Sequence, residues 1–212
     1  MPDRRLLPAL LVALGLLFAA GCSAAPDEPN LPADVEIVDD DGFNGAGLAE
    51  PYQVPEVTLR DTAGASYTLG REPGPELTLV FFGYTNCPDQ CQIAMATLAS
   101  ALTRLDAADR ERVAVVLVTT DPARDDEATL RRYLDRFNPD FIGLTGELSE
   151  ITRLAEPLGV AIERGRKLPS GGYEVDHGTP IIAVEAGGTA PLLWTEGTSS
   201  ADLAADVAKL LS

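Results

Sequence analysis

The sequence predicts a mixed α/β sandwich, and three observations carry that prediction. Residues 77–82 (LTLVFF) and 112–118 (RVAVVLV) are nearly continuous apolar runs, as in strands buried on both faces. Segments of helical apolar spacing alternate with them, the order of a layered α/β domain. Two thiols four residues apart, Cys87 and Cys91, follow the first run within residues 83–91 (GYTNCPDQC).

The elements follow in order. Residues 57–60 and 66–69 flank the turn-forming stretch DTAGA and predict an N-terminal β-hairpin. The strand at 77–82 leads into the cysteines. A helix then carries Ile93, Leu98, Leu102 and Leu105 near helical spacing. The second buried strand is 112–118. Asp121 and Pro122 turn the chain, 125–137 is amphipathic, 141–144 is a short strand and 150–158 a helix. Residues 173–175 lead into His177. Strands at 180–185 and 192–195 pair across Gly187 and Gly188, and a closing helix spans 199–211 with Ser199 or Ser200 as N-cap. A cysteine pair at a strand-to-helix junction of a central mixed sheet is the thioredoxin-like arrangement.

The ends of the chain set its compartment. Arg4 and Arg5 precede an apolar run from Leu6 to Ala20, shorter than the roughly 20 residues of a spanning helix. Small residues then lead to Cys22. Residues 1–21 thus read as a secretory signal of lipoprotein type, with cleavage before Cys22 and lipid on its sulfur. More than one acyl chain gives stable anchoring. The expected location is the extracytoplasmic face of a bacterial cell membrane. Residues 22–50, rich in Ala, Pro, Asp, Glu and Gly, read as an acidic flexible tether, and 51–212 as the folded domain. Asp39, Asp40 and Asp41 lack the alternating ligands of a calcium loop and read as solvated charge. Losing residues 1–21 removes two arginines and one aspartate, taking the formal charge from −17 to −18. Phosphates repel such a chain, which argues against nucleic-acid binding.

With Cys22 lipidated, Cys87 and Cys91 remain as a pair outside the cytosol, where a disulfide is permitted. A disulfide across so short a loop removes little unfolded-state entropy, so a metal or redox pair is the stronger reading. If Cys91 lies in the first turn of a helix, both sulfurs reach one point. The only histidine is His177, so an imidazole completing a metal site comes from there. Two thiolates and one imidazole suit Cu(I) and tolerate Cu(II) or Zn(II). A helix N-terminus favours thiolate, which both metal binding and disulfide exchange require. Asp89 reads as a turn residue, Tyr84 and Thr85 as loop-shaping, and Met95 as core rather than a thioether ligand. Asp121, at a central strand end, either shapes the site or caps a helix.

These motifs resemble the Sco/SenC family. The similarity rests on residues 83–91, on 119–125 (TTDPARD), on 141–146 (FIGLTG) and on 173–177 (YEVDH), and covers roughly residues 43–211. It implies a thioredoxin fold, a membrane anchor and a copper site of Cys87, Cys91 and His177. Members resemble copper chaperones for the binuclear copper site of cytochrome c oxidase subunit II, and some act instead as thiol–disulfide reductases. In that second case Cys87 would attack a disulfide and Cys91 would resolve it. A peroxiredoxin-like peroxidase fits poorly, given the close pair and the distant histidine. Gln92 stands where the family usually has proline. Thr179–Pro180 could take the place of the thioredoxin cis-proline, and the isomer is left open.

Overall fold

The structure is a computed structural model. It describes residues 36–38, 40–71, 73–167, 173–177 and 180–212, with the backbone alone for 164, 166, 167 and 173–177. Eleven strands and five α-helices are found among the described residues. In chain order they are β1 (Ile37–Val38), β2 (Ala46–Gln53), β3 (Thr58–Asp61), β4 (Ser66–Thr68), β5 (Leu77–Gly83), α1 (Gln90–Arg104), α2 (Ala107–Arg112), β6 (Val113–Thr119), α3 (Glu127–Leu134), β7 (Ile142–Thr145), α4 (Leu148–Ala155), β8 (Ile162–Lys167), β9 (Tyr173–His177), β10 (Ile181–Glu185), β11 (Thr189–Trp194) and α5 (Ser200–Leu210). A 3₁₀ turn, Glu156–Leu158, extends α4.

Nine strands form one mixed sheet in the order β1-β2-β11-β10-β5-β6-β7-β3-β4. β5, β6 and β7 run parallel at its centre, and β10 and β11 run antiparallel on one side. The predicted hairpin, β3 and β4, closes the other end by pairing with β7. All seven residues of β5 are buried, as its unbroken apolar run predicts. Alternation then sorts its side chains into two layers. Leu77, Leu79 and Phe81 join Val115 and Leu117 beneath α1, α3 and α5. Val80 and Phe82 join Val116 and Val118 on the opposite face, against α4 and the hairpin.

Local signals account for most boundaries. Asp106, Asp126 and Ser199 each accept a backbone N–H three residues on, and so start α2, α3 and α5. Gly159, at φ +74°, ends the 3₁₀ turn.

The structure corrects four expectations. The stretch expected to be tether through residue 50 already contains β1 and the first half of β2, which pairs with β11 inside the sheet. Asp41 is not simply solvated charge: its carboxylate accepts the Phe43 N–H at 2.8 Å and its carbonyl accepts Lys209 Nζ at 2.8 Å. Ile93 is 59% exposed, because the buried stripe of α1 runs through Cys91, Met95, Leu98 and Leu102. α2 and β8 have no counterpart in the predicted order.

The N-terminal segment is clamped by Asp206, a buried carboxylate on α5. It accepts the backbone N–H of Asn44 and Gly45 at 3.0 and 2.9 Å, Asn44 Nδ2 at 2.9 Å and Trp194 Nε1 at 2.8 Å.

Candidate metal centre

β5 ends at Gly83, and the chain crosses a short loop before α1 begins at Gln90. The loop is tight: the Cys87 N–H donates to the Tyr84 carbonyl at 3.2 Å, and Gln92 and Ile93 donate to the Asp89 carbonyl. Asp89 is the N-cap residue of α1 with no side-chain bond to the helix, in keeping with a turn-forming role. Cys91 therefore lies in the first helical turn. Its backbone N–H donates to Cys87 Sγ at 3.4 Å, so the two sulfur-bearing residues face each other across that turn. Neither sulfur is in a disulfide; Cys87 is 9% exposed and Cys91 fully enclosed.

Glycine at position 83 is what admits this packing. A Cβ there would meet Cys91 Sγ at 2.9 Å and Phe81 Cε1 at 2.7 Å. Met95 is fully buried in the same cluster, consistent with a core role.

A residue the sequence reading passed over pins the loop. Asp125, just before α3, is fully buried. Its carboxylate accepts the Thr85 N–H at 2.9 Å, Thr85 Oγ1 at 2.5 Å and Thr119 Oγ1 at 2.8 Å. Its carbonyl accepts Thr145 Oγ1 at 3.0 Å. Through its side chain Asp125 ties the cysteine loop to the C-terminal end of β6, and through its backbone carbonyl it reaches the end of β7. Burial pushes its carboxyl up from the ordinary range, against the pull of those donors. Its only signal in the sequence was a place within the TTDPARD motif.

Asp121 does not cap a helix; Asp126 does that for α3. Asp121 is buried, its N–H donates to Thr119 Oγ1 at 3.0 Å, and its carboxylate pairs with Arg124. The Arg124 guanidinium lies 5.7 Å from the centroid of Tyr84, so this pair braces the first residue of the loop.

The electrostatics run against the expectation of a helix-lowered thiol. The Cys91 thiol is pushed up, first by its hydrogen bond with Cys87, then by burial. The negative charges of Cys87 and Asp125 add to this, and a backbone hydrogen bond at Tyr84 offsets part of it. The hydrogen bond with Cys87 and enclosure together outweigh the partial positive charge of the helix end. A cation held by Cys87 and Cys91 would reverse that balance by stabilising their thiolates.

The third expected ligand is placed by its backbone. His177 ends β9 opposite Ile162 of β8, and Ile162 packs on the cluster that holds both cysteines. β10 starts at Ile181 opposite Phe81, so the chain enters it from the end of β5 that bears the cysteine loop. The imidazole of His177, the Thr179–Pro180 bond and Cys22 lie outside the described residues. Among the described residues no group of three His, Cys, Asp or Glu side chains is placed to hold a metal, and no helix is long and apolar enough to cross a membrane. Two adjacent, enclosed thiols not joined by a disulfide are a fitting donor pair for a soft metal ion.

The SCO1/SenC family model matches residues 51–212. The chain belongs to the SCO1/SenC family. A putative copper-binding protein of Stutzerimonas stutzeri is 30% identical over 174 residues, covering 82% of each chain. Against longer mitochondrial relatives this SCO1/SenC chain spans 40% to 44% of their length. Among solved structures, apo Sco1 of Thermus thermophilus superposes with TM-score 0.71 at 30% identity, covering 79% of this chain and 96% of that one. Bradyrhizobium japonicum ScoI, solved with copper bound, gives TM-score 0.66 at 27% identity over 74% and 99%. The thioredoxin-like Sco fold predicted from the sequence is the fold observed.

Proposed function

We propose that this protein is a copper carrier that binds one copper ion through Cys87, Cys91 and His177. It hands the ion by ligand exchange to the binuclear copper site of cytochrome c oxidase subunit II or a similar acceptor. The observation that carries the reading is the hydrogen bond at 3.4 Å from the Cys91 N–H to Cys87 Sγ, which brings together two cysteines not joined by a disulfide, one in the loop and one in the first turn of α1. The named copper binding of similar proteins supports the metal, and the motif resemblance supports the acceptor. Copper would supply a soft cation; the chain supplies enclosure, a pinned loop and, in Cys87, the less completely buried of the two thiols as the exit side. In the same reading Cys22 carries the lipid anchor and the domain works outside the cytoplasm.

Titration of the reduced protein with Cu(I) against a calibrated chelator tests this. One tightly held ion is expected, with affinity at least about tenfold weaker in His177→Ala. Unchanged affinity in that variant removes His177 from the ligand set. A second reading, a thiol–disulfide reductase, is favoured by the greater exposure of Cys87 over Cys91, the asymmetry of an attacking and a resolving thiol. It predicts exchange activity that survives His177→Ala and is abolished by Cys87→Ser.

A further inference from the structure

Tyr133, near the end of α3, has a hydroxyl with no hydrogen-bond partner, although the residue is only 4% exposed. About nine in ten buried polar groups are paired, so an orphan points to a partner supplied in another state. The ring itself is held firmly. The Arg136 guanidinium lies 4.5 Å from its centroid and the Phe137 ring is tilted against it at 5.3 Å. Only the oxygen is unused.

Its surroundings identify what it lacks. Tyr133 shares one core cluster with Cys87, Cys91 and Tyr84, because α3 and α1 cover the same face of the sheet. Burial first, and then the nearby Cys91 sulfur in its thiolate form, push the phenol up from its ordinary value. The cysteines have the complementary need. A metal-bound pair of thiolates, enclosed near the buried Asp125, would gather negative charge away from water. Ligand atoms of metal sites are regularly oriented and tuned by such outer hydrogen bonds.

We propose that Tyr133 is a positioning residue for the metal centre, its hydroxyl donating a hydrogen bond to the sulfur of Cys91 when that sulfur is a metal-bound thiolate. The inference rests on the copper-carrier reading. It assigns α3 a role in holding the loaded state.

Tyr133→Phe in the full chain removes the oxygen and keeps the ring. The metal-free variant is expected to unfold at the same temperature as the parent protein or higher, because it loses only an unpartnered hydroxyl. Cu(I) affinity by chelator competition is expected to fall about tenfold. The sulfur-to-metal charge-transfer band of the Cu(II)-loaded variant is expected to move to longer wavelength, as the thiolate loses its donor. Parental affinity and an unmoved band overturn the inference alone. A lower unfolding temperature for the metal-free variant also overturns it, since the hydroxyl then serves the metal-free fold. A parent protein that binds no Cu(I) overturns the copper reading, and this inference with it.

Discussion

Replacing Asp125 tests how far the cysteine loop depends on one distant carboxylate. The side chain is fully buried and accepts three hydrogen bonds, from the Thr85 N–H and from the Thr85 and Thr119 hydroxyls. Bonds to a charged acceptor contribute about 1.5–3 kcal/mol each. Three would amount to about 5–9 kcal/mol, but burying the carboxylate has its own cost, visible in its raised ionisation. Breaking such a buried charged cluster from one side costs about 3–5 kcal/mol net. Asp125→Ala should therefore lower stability in urea by about 3–5 kcal/mol. At about 2–4 °C per kcal/mol for a domain of this size, the melting temperature falls on the order of 10 °C. Asp125→Asn keeps one acceptor oxygen and should lose about 1–2 kcal/mol, since the threonine hydroxyls can rotate to accept from its amide. Copper affinity should drop with the alanine change, because Thr85 lies two residues from Cys87. A loss below about 1 kcal/mol in Asp125→Ala, the range of single ordinary hydrogen bonds, would refute the pinning argument.

The raised Asp125 ionisation also sets a pH dependence: its contribution is fully present below the unfolded carboxyl value and is lost as pH rises through the folded one, so the stability of the parent protein relative to Asp125→Asn should fall over that interval in urea unfolding at stepped pH. Gly83→Ala forces a methyl against Cys91 Sγ and Phe81; a loss of about 1–3 kcal/mol and weaker Cu(I) binding are expected by thermal unfolding and chelator competition, and parental values for both would mean the sulfur has room to move. Asp206→Ala leaves the enclosed Trp194 indole N–H without an acceptor and frees Asn44 and Gly45; amide exchange should speed up along Ala46–Gln53 before the rest of the sheet, and uniform protection there would discount the clamp.

How much could be read beforehand depended on whether a residue's role was local. The strands β5 and β6 announce themselves because burial on both faces demands an unbroken apolar run. Cys87 and Cys91 stood out by residue type and spacing, whereas His177 stood out only through the motif resemblance. β2 did not, because its sequence AGLAEPYQ has little intrinsic strand preference and is held in place by β11 and by Asp206. Ile93 falls outside the buried stripe because that stripe starts at Cys91, a residue whose metal and redox uses mask its core position in the sequence. Asp125 was hidden for a related reason. Next to the capping Asp126 it looks like any polar helix entrance, and its three partners come from 6 and 40 residues away.

The way the N-terminal segment joins the sheet also fixes a radius of action. Its outermost strand, β1, sits four places from β5 in the sheet order, about 20 Å sideways at the usual strand spacing. If Cys22 is held at a lipid surface, the fourteen residues from there to position 35 reach at most about 50 Å when fully drawn out. On the proposed anchoring the two thiols would then lie within about 70 Å of their attachment point. An acceptor in the same membrane would have to expose its receiving site within that distance, and the search becomes two-dimensional.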